Sequence, residues 1–424
     1  MNVGALLIIL LLIFAFLGCP IVFSIGLASL AAILLDGMPL MILPQKMFTG
    51  FDSTALLAIP FFLLAGNIMS VGLTKRIIHV SNTMIGSVKG SLAIVTVVAC
   101  AIFAAISGSS VATTAAIGGI TLPAMAKEKY PTGFAASITG IASSMGTLIP
   151  PSIFLIVYGS ATETSIAKLF MAALIPGILL AIALVIYAHV YAKRHDFPSH
   201  EKASTKEKVS AVKNGIWALF MPILILGGIF LGIFTATEAA AVSAMYAFLV
   251  SLLVYRELRW KELKEVLKQS AVSTAAIVIL VGASKVSSWV IVTSNLPNAI
   301  LDFFHSVTSS PVGLLLLLNV LLLIVGMFME GNSAIIMLTP LIAPLLSAYG
   351  ISGITFGVVM AMNLSLGLVT PPVGSCLLIA NEIAGGKLEH TLKAVIVPLL
   401  IGIGVLMLVT YLPPLTLWLP DVMF

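Results

Sequence analysis

The chain has 424 residues, 60% of them hydrophobic and 9% charged, with a formal net charge of +5. Soluble domains carry about 25% charged residues. A depletion this deep excludes a soluble globular protein and requires lipid as the solvent for most of the surface. The basic excess is not a nucleic-acid footprint: of the 21 Lys and Arg, 11 fall in residues 193–213 and 256–268, interleaved with acids. That is the pattern of cytoplasmic loops under the positive-inside rule.

Apolar stretches of about 20 residues recur from Val3 to Leu412, each long enough to span a bilayer. Residues 1–17 lack a basic leader and a small-residue cleavage pattern, and apolar sequence continues to Leu35. They read as the first span, not a removable signal. A span over 54–70 follows, then an amphipathic arm over 74–89. Residues 90–126 are flanked by Lys89 on one side and Lys127 and Lys129 on the other. Their centre, Ser107-Gly108-Ser109-Ser110, is polar and helix-breaking. Two half-length helices meeting at a polar tip predict a re-entrant hairpin, which membranes tolerate only where protein or water surrounds the backbone. Residues 133–159 predict a span interrupted at Gly146-Thr147-Leu148-Ile149-Pro150-Pro151, and 169–191 the span after it. The polar stretch 193–213 is expected to be a cytoplasmic loop.

Spans over 216–233 and 239–255 are expected to be joined by a turn at Thr235-Ala236-Thr237-Glu238. A span over 269–292 leads to a second arm over 295–306. The second hairpin covers 311–349, with Glu330-Gly331-Asn332-Ser333 at its tip. Residues 354–380 form a second interrupted span, broken at Gly367-Leu368-Val369-Thr370-Pro371-Pro372, and 391–412 the final one. Pro123 and Pro344, Gly146 and Gly367, and Pro150-Pro151 and Pro371-Pro372 recur at one constant offset. The expected fold is therefore an all-α polytopic membrane protein of two inverted repeats, 1–192 and 214–424, linked by 193–213. Each repeat holds a re-entrant helical hairpin and a broken transmembrane helix. Such matched interruptions are the best sequence pointer to a secondary transporter and its site. Charge placement predicts a cytoplasmic N-terminus and a periplasmic C-terminus.

Four broken elements should converge. Proline removes a donor and disrupts the preceding turn, and the freed carbonyls are costly in lipid unless coordinated. Sodium, a hard cation, suits such carbonyls with Ser, Thr and Asn oxygens. One expected sodium site combines Ser107, Gly108 and Ser110 with Gly146, Thr147 and Ile149. The other combines Gly331 and Asn332 with Gly367, Val369 and Thr370. An anionic substrate group is expected between the hairpin tips, at Ser109, Ser110, Asn332 and Ser333 with Thr370 nearby, because helix N-termini favour anions. Glu330, an intramembrane carboxylate, reads either as a functional group or as the cap of the next half-helix. Lys285 reads as a substrate counter-charge, as a partner of Glu330, or as a snorkelling lysine. Asn67 and Asn363 read as site residues or as interhelical hydrogen bonders. Cys19, Cys100 and Cys376 show no metal spacing.

Gly-Ser-Ser at 108–110, Ser-Ser-Met-Gly-Thr-Leu-Ile-Pro-Pro-Ser at 143–152, Glu-Gly-Asn-Ser at 330–333 and Gly-Leu-Val-Thr-Pro-Pro-Val-Gly at 367–374 resemble the large membrane (M) subunit of the tripartite ATP-independent periplasmic (TRAP) transporters. The resemblance runs along essentially the whole chain. It implies a bacterial inner-membrane, sodium-driven importer of organic acids, typically C4-dicarboxylates or sialic acid, working by an elevator-type motion. Its implied partners are a periplasmic substrate-binding protein (P type) and a small four-helix membrane subunit (Q type), expected as a separate chain, within membrane lipid. A passive channel or exporter would share the broken helices. An intramembrane enzyme is disfavoured, since no Gly-x-Ser-x-Gly or His-Glu-x-x-His motif occurs. An ATP-driven pump is disfavoured because no phosphate-binding Gly-x4-Gly-Lys-Ser/Thr loop is present.

Overall fold

A computed structural model describes residues 3–199, 202–294 and 296–423. It is all-helical, with no strand among the described residues. Among the described residues, eight helices are long and apolar enough to cross a membrane.

The chain opens with α1 (Val3–Phe16) and α2 (Ile21–Leu35). The sequence reads as one span running into more apolar chain, but Gly18 takes φ +81° and Pro20 precedes α2, so the segment folds back as two packed helices. At about 1.5 Å per residue each is roughly 20 Å long, short of the ~30 Å hydrocarbon core. Met1 and Asn2 lie outside the described residues. After α3 (Ile42–Phe51) and a single 3-10 turn, α4 (Ala58–Ile85) runs unbroken for 28 residues. The arm expected over 74–89 is thus mostly the C-terminal end of α4. Neither proline nor glycine interrupts 73–85, and Thr74, Ile77, Val80 and Ser81 carry the buried stripe onward.

Next come α5 (Ser91–Ser107) and α6 (Ser110–Lys127), joined by Gly108 and Ser109. The chain continues through α7 (Thr132–Ser143), a 3-10 turn (Ser144–Thr147), α8 (Ile153–Thr162) and the long α9 (Ile166–Arg194). The polar stretch 193–213 is only partly loop, because α10 (Thr205–Phe230) already starts inside it. Ser204 and Glu207 make a reciprocal capping box there, which satisfies two otherwise orphaned backbone donors. Thr235 and Glu238 do the same for α11 (Ala236–Leu249), in the turn expected at that point; α11 then ends in a π turn (Val250–Val254).

The 34-residue α12 (Trp260–Thr293) starts earlier than its apolar span, carrying a charged first third. Then come α13 (Leu296–Val307), an amphipathic arm, α14 (Pro311–Phe328) and α15 (Gly331–Ala348). The interrupted pair α16 (Gly353–Gly367) and α17 (Ser375–Ala384) leads to α18 (Leu388–Tyr411). A short terminal α19 (Pro414–Met423), not anticipated from the sequence, packs on α9.

Two groups of helices emerge. Around α4 and α12 gather α1, α2, α3, α10 and α11. Asn67 Nδ2 donates to Ser270 Oγ at 2.9 Å between α4 and α12, and Ser29 and Ser287 hydroxyls meet at 2.6 Å between α2 and α12. Asn67 is therefore an interhelical hydrogen bonder. The second group centres on α5, α7, α8 and α16, buried almost throughout their lengths. Small residues let the groups approach closely: a Cβ on Gly66 of α4 would stand 2.9 Å from Ser107 Cα. Within the second group, Asn363 Nδ2 donates to Asn319 Oδ1 at 2.7 Å, and Asn319 Nδ2 to Thr410 Oγ1 at 3.3 Å. This buried network ties α16, α14 and α18 together, which assigns Asn363 to helix packing.

Candidate functional site

The first tip is built by its backbone. Gly108 sits at φ +63°, a left-handed conformation that costs glycine little and reverses the chain between α5 and α6. Ser109 caps α6, its Oγ accepting from Ala112 N at 3.4 Å. The Ser107 hydroxyl is 3.1 Å from Thr113 Oγ1, within the tip itself. The first break follows α7: one 3-10 turn, then irregular chain over 148–152, with Pro150–Pro151 cis. Ser152 caps α8 by accepting from Leu155 N, and donates back to the Thr147 carbonyl.

Tip and break fit as one body. A Cβ on Gly146 would stand 2.6–2.7 Å from Ser109 C, Ser109 O and Ser110 N. Ile153 N donates to Gly108 O at 3.4 Å. A chain of hydroxyls runs through the contact: Ser110 Oγ lies 2.9 Å from Thr147 Oγ1, which lies 2.6 Å from Ser365 Oγ on α16. Ser110 also donates to Ser144 O, and Ser365 to Ala361 O.

The second half is assembled differently. Glu330 caps α15: its Oε2 accepts from Ser333 N at 3.0 Å and from Ser333 Oγ at 3.3 Å, and its Oε1 from Asn332 Nδ2 at 2.7 Å. The capping reading of Glu330 is therefore the one the geometry supports. Gly367, at the end of α16, packs on Gly326 of α14, where a Cβ would come within 2.5–2.6 Å of Gly326 backbone atoms. Gly331 at the second tip lies under the Phe154 ring of α8, so this tip leans on the other half of the chain.

Between these elements lies a cavity of about 300 Å³. Residues 108–111 of the first tip and 326–330 and Asn332 of the second face each other across it. Thr147, Ile153 and Phe154 come from the first break, and Gly367, Leu368 and 373–375 from the second. Of the expected substrate residues, Ser109, Ser110, Glu330 and Asn332 line the cavity; of the expected cation residues, Gly108, Ser110, Thr147, Asn332 and Gly367 do.

The remainder are turned elsewhere. Thr370 Oγ1 donates to Leu366 O at 2.7 Å, so local helix geometry uses its hydroxyl. Ser333 is held by Glu330 and buried. Ser107 points into its own tip, and Ile149 packs on Gly177 of α9. Gly146, Gly331 and Val369 form the buried backing of the site. Lys285 lies elsewhere. Its stem lies against Gly50 of α3, 3.0–3.2 Å from where a Cβ would be, and it does not line the cavity. Glu330 is engaged in its own cap, so no Lys285–Glu330 pair forms.

Sequence reasoning missed Ser365, Phe154 and the apolar wall of residues 327–329. Ser365 had one available signal, a hydroxyl two residues before a helix break in a largely apolar run, where a buried polar group must find a partner. The cavity offers hydroxyls, an amide, backbone groups and one carboxylate against apolar walls. It carries no acid–base or nucleophile constellation. Among the described residues no cluster of three His, Cys, Asp or Glu is placed to hold a metal. Its chemistry is that of a binding chamber.

The family described as "Tripartite ATP-independent periplasmic transporter, DctM component" matches residues 8–415. The chain belongs to this family. It is thus a membrane component of a TRAP transporter and not an enzyme. It is 39% identical over 400 residues to the C4-dicarboxylate TRAP transporter large permease protein DctM of Pseudomonas aeruginosa, covering 94% of each chain. It is 37% identical to the sialic acid TRAP transporter large permease protein SiaM of Vibrio cholerae, covering 96% of each. It is also 37% identical to the isethionate TRAP transporter permease protein DctMQ of Oleidesulfovibrio alaskensis, covering 96% of this chain but 64% of that longer one. Among solved structures, the Alcanivorax borkumensis YdaH transporter matches with a TM-score of 0.62 at 14% identity, covering 86% of each chain. Neisseria gonorrhoeae MtrF matches with a TM-score of 0.58 at 13% identity, covering 88% of this chain and 85% of that one. At such identities the likeness is one of fold.

Proposed function

We propose that this TRAP large permease takes up an organic acid, of the C4-dicarboxylate or sialic acid class, by sodium-coupled secondary transport in the bacterial inner membrane. The observation that carries the reading is the single cavity lined by both hairpin tips and both helix breaks. A carboxylate at membrane depth needs several donors at once. The N-termini of α6 and α15 open onto this cavity with their partial positive charge. Ser109, Ser110 and Asn332 supply side-chain donors there. Sodium takes the harder oxygens: the first site lies where the tip at 107–110 meets the break at 146–149, and the second between 331–333 and 367–370.

The order hairpin, broken helix, long helix occurs twice along the chain, which supports reading 1–192 and 214–424 as inverted repeats. The group around α5, α7, α8 and α16 is then the moving block, and α4 and α12 the frame it slides against in an elevator-type cycle. Names of relatives and the tripartite family support two partners, a periplasmic substrate-binding protein and a small membrane subunit. With the basic loops cytoplasmic, the N-terminus is inside and the C-terminus outside.

The test is uptake into proteoliposomes holding this chain and its small subunit, with the cognate binding protein and a panel of organic acids. Accumulation against a gradient is expected with sodium outside and none with choline. Transport running to equilibrium only would replace the reading with a channel, and full uptake on a proton gradient alone would remove the sodium coupling.

A further inference from the structure

Away from the transport cavity, the C-terminal half of α4 meets the first turns of α10 and the chain after α11, and cationic groups gather there. Arg76 Nη2 donates to Glu257 Oε1 at 2.7 Å, and its guanidinium lies 3.9 Å above the Tyr255 ring. Tyr255 OH donates to Asn214 O on α10 at 3.0 Å. These bonds fix a pocket of about 270 Å³ walled by Gly72, Lys75, Arg76, His79, Asn214 and Glu257. Glu257 is the acid of this wall, and Arg76 already holds it. Lys75 and His79, one turn apart on α4, are exposed and have no ion-pair partner among the described residues. A second pocket shares His79 and adds Lys202, whose charge is offset by the Glu207 carboxylate of the Ser204 capping box. Lys75 is thus the cation of this corner without an ion-pair partner among the described residues, and it stands beside the His79 ring and the Asn214 amide.

Directly along α10 the surface turns apolar. Trp217, three residues past Asn214 on the same flank, is 45% exposed, and Phe220 three further on is 43% exposed. A tryptophan between a basic helix end and an apolar flank marks the headgroup level of a bilayer. Basic pockets at that level are suited to anionic lipid headgroups.

We propose that this corner binds an anionic phospholipid, its phosphate held by Lys75 and His79 with Asn214 beside them, and its acyl chains running along α10 past Trp217 and Phe220. The chemistry recognised is a phosphate ester. Exposed Trp217, one turn beyond Asn214 on the same flank of α10, and Phe220 a further turn on favour the lipid over a free phosphate. The site shares no residue with the transport cavity and does not depend on what that cavity carries.

The experiment titrates the purified chain in detergent with short-chain phosphatidylglycerol, reading lipid adducts by native mass spectrometry and the shift in Tm. Phosphatidylcholine of the same chain length and glycerol 3-phosphate are the comparators. Phosphatidylglycerol is expected to bind preferentially and raise Tm. One basic residue near a membrane surface contributes about 1 kcal/mol, a factor of roughly 5. Lys75→Gln should weaken binding by that factor, Lys75→Gln with His79→Gln further, and Lys75→Arg should restore it. Lys268→Gln, on the exposed start of α12, should bind as wild type. Wild-type binding by the double variant, equal binding of phosphatidylcholine, or a full Tm shift with glycerol 3-phosphate would each overturn the proposal. So would loss of the lipid adduct when the small membrane subunit is present, since that subunit would then be what covers this face.

Discussion

Gly146→Ala is the sharpest probe of the contact between the first tip and the first break. The added Cβ would stand 2.6–2.7 Å from Ser109 C, Ser109 O and Ser110 N, where ordinary contact begins at 3.4 Å. All three neighbours are backbone, so no side chain can swing away. The tip must withdraw by about 0.7 Å or more, at an overpacking cost of about 1–3 kcal/mol. That shift moves residues 108–111, which line the cavity, and pulls Ser110 away from Thr147. Misplacing a binding group by about 1 Å can cost on the order of 10²-fold in rate. Uptake should fall by that order while the protein still purifies folded. Gly119→Ala is the matched control: it adds the same methyl on α6, with nothing within 4 Å. It should transport normally and be slightly more stable, because alanine loses less backbone entropy in a helix. The assays are proteoliposome uptake and thermal unfolding of both variants. Equal uptake by Gly146→Ala and Gly119→Ala would refute the tight tip–break contact.

Three further outcomes are expected. Gly367→Ala should damage transport comparably, since its Cβ would come within 2.5–2.6 Å of the Gly326 backbone; wild-type uptake would show that α14 and α16 part easily. Thr147→Val removes two hydroxyl contacts while Ser110 and Ser365 keep backbone acceptors, so unfolding should cost about 1–3 kcal/mol less without collapse of the fold. A double-mutant cycle with Ser365→Ala measures that coupling, and a zero interaction energy would break the proposed chain. Lys285→Ala should leave apparent substrate affinity unchanged, because the lysine lies against Gly50 and not on the cavity; a selective loss of affinity with normal expression would restore its reading as a counter-charge.

The sequence alone determined that the protein is a membrane protein, that it is helical, and where the two hairpins and two broken helices interrupt the backbone. Lipid as solvent forces every spanning segment to satisfy its own backbone, so composition and span length suffice for the first two. Gly108, Pro150-Pro151 and Pro371-Pro372 interrupt helices through local sterics, and local sterics are legible in a linear chain. The capping box at Thr235 and Glu238 was foreseeable as a turn for the same reason, whereas Ser204 and Glu207 start α10 inside what charge alone marks as loop. What the tertiary structure decided is which oxygens remain free. Thr370, Ser333 and Ser107 are polar, correctly placed along the chain, and yet consumed by neighbours within their own elements. Lys285 sits in an apolar span whose orientation no local pattern fixes, and the packing of α12 on α3 lays its stem against Gly50 rather than on the cavity. Ser365, whose sequence signal names no partner, joins Ser110 through Thr147 because the packing of α16 brings its hydroxyl 2.6 Å from Thr147 Oγ1. Hydrogen-bond partners separated by 218 residues are set by how helices pack, and no local pattern encodes that.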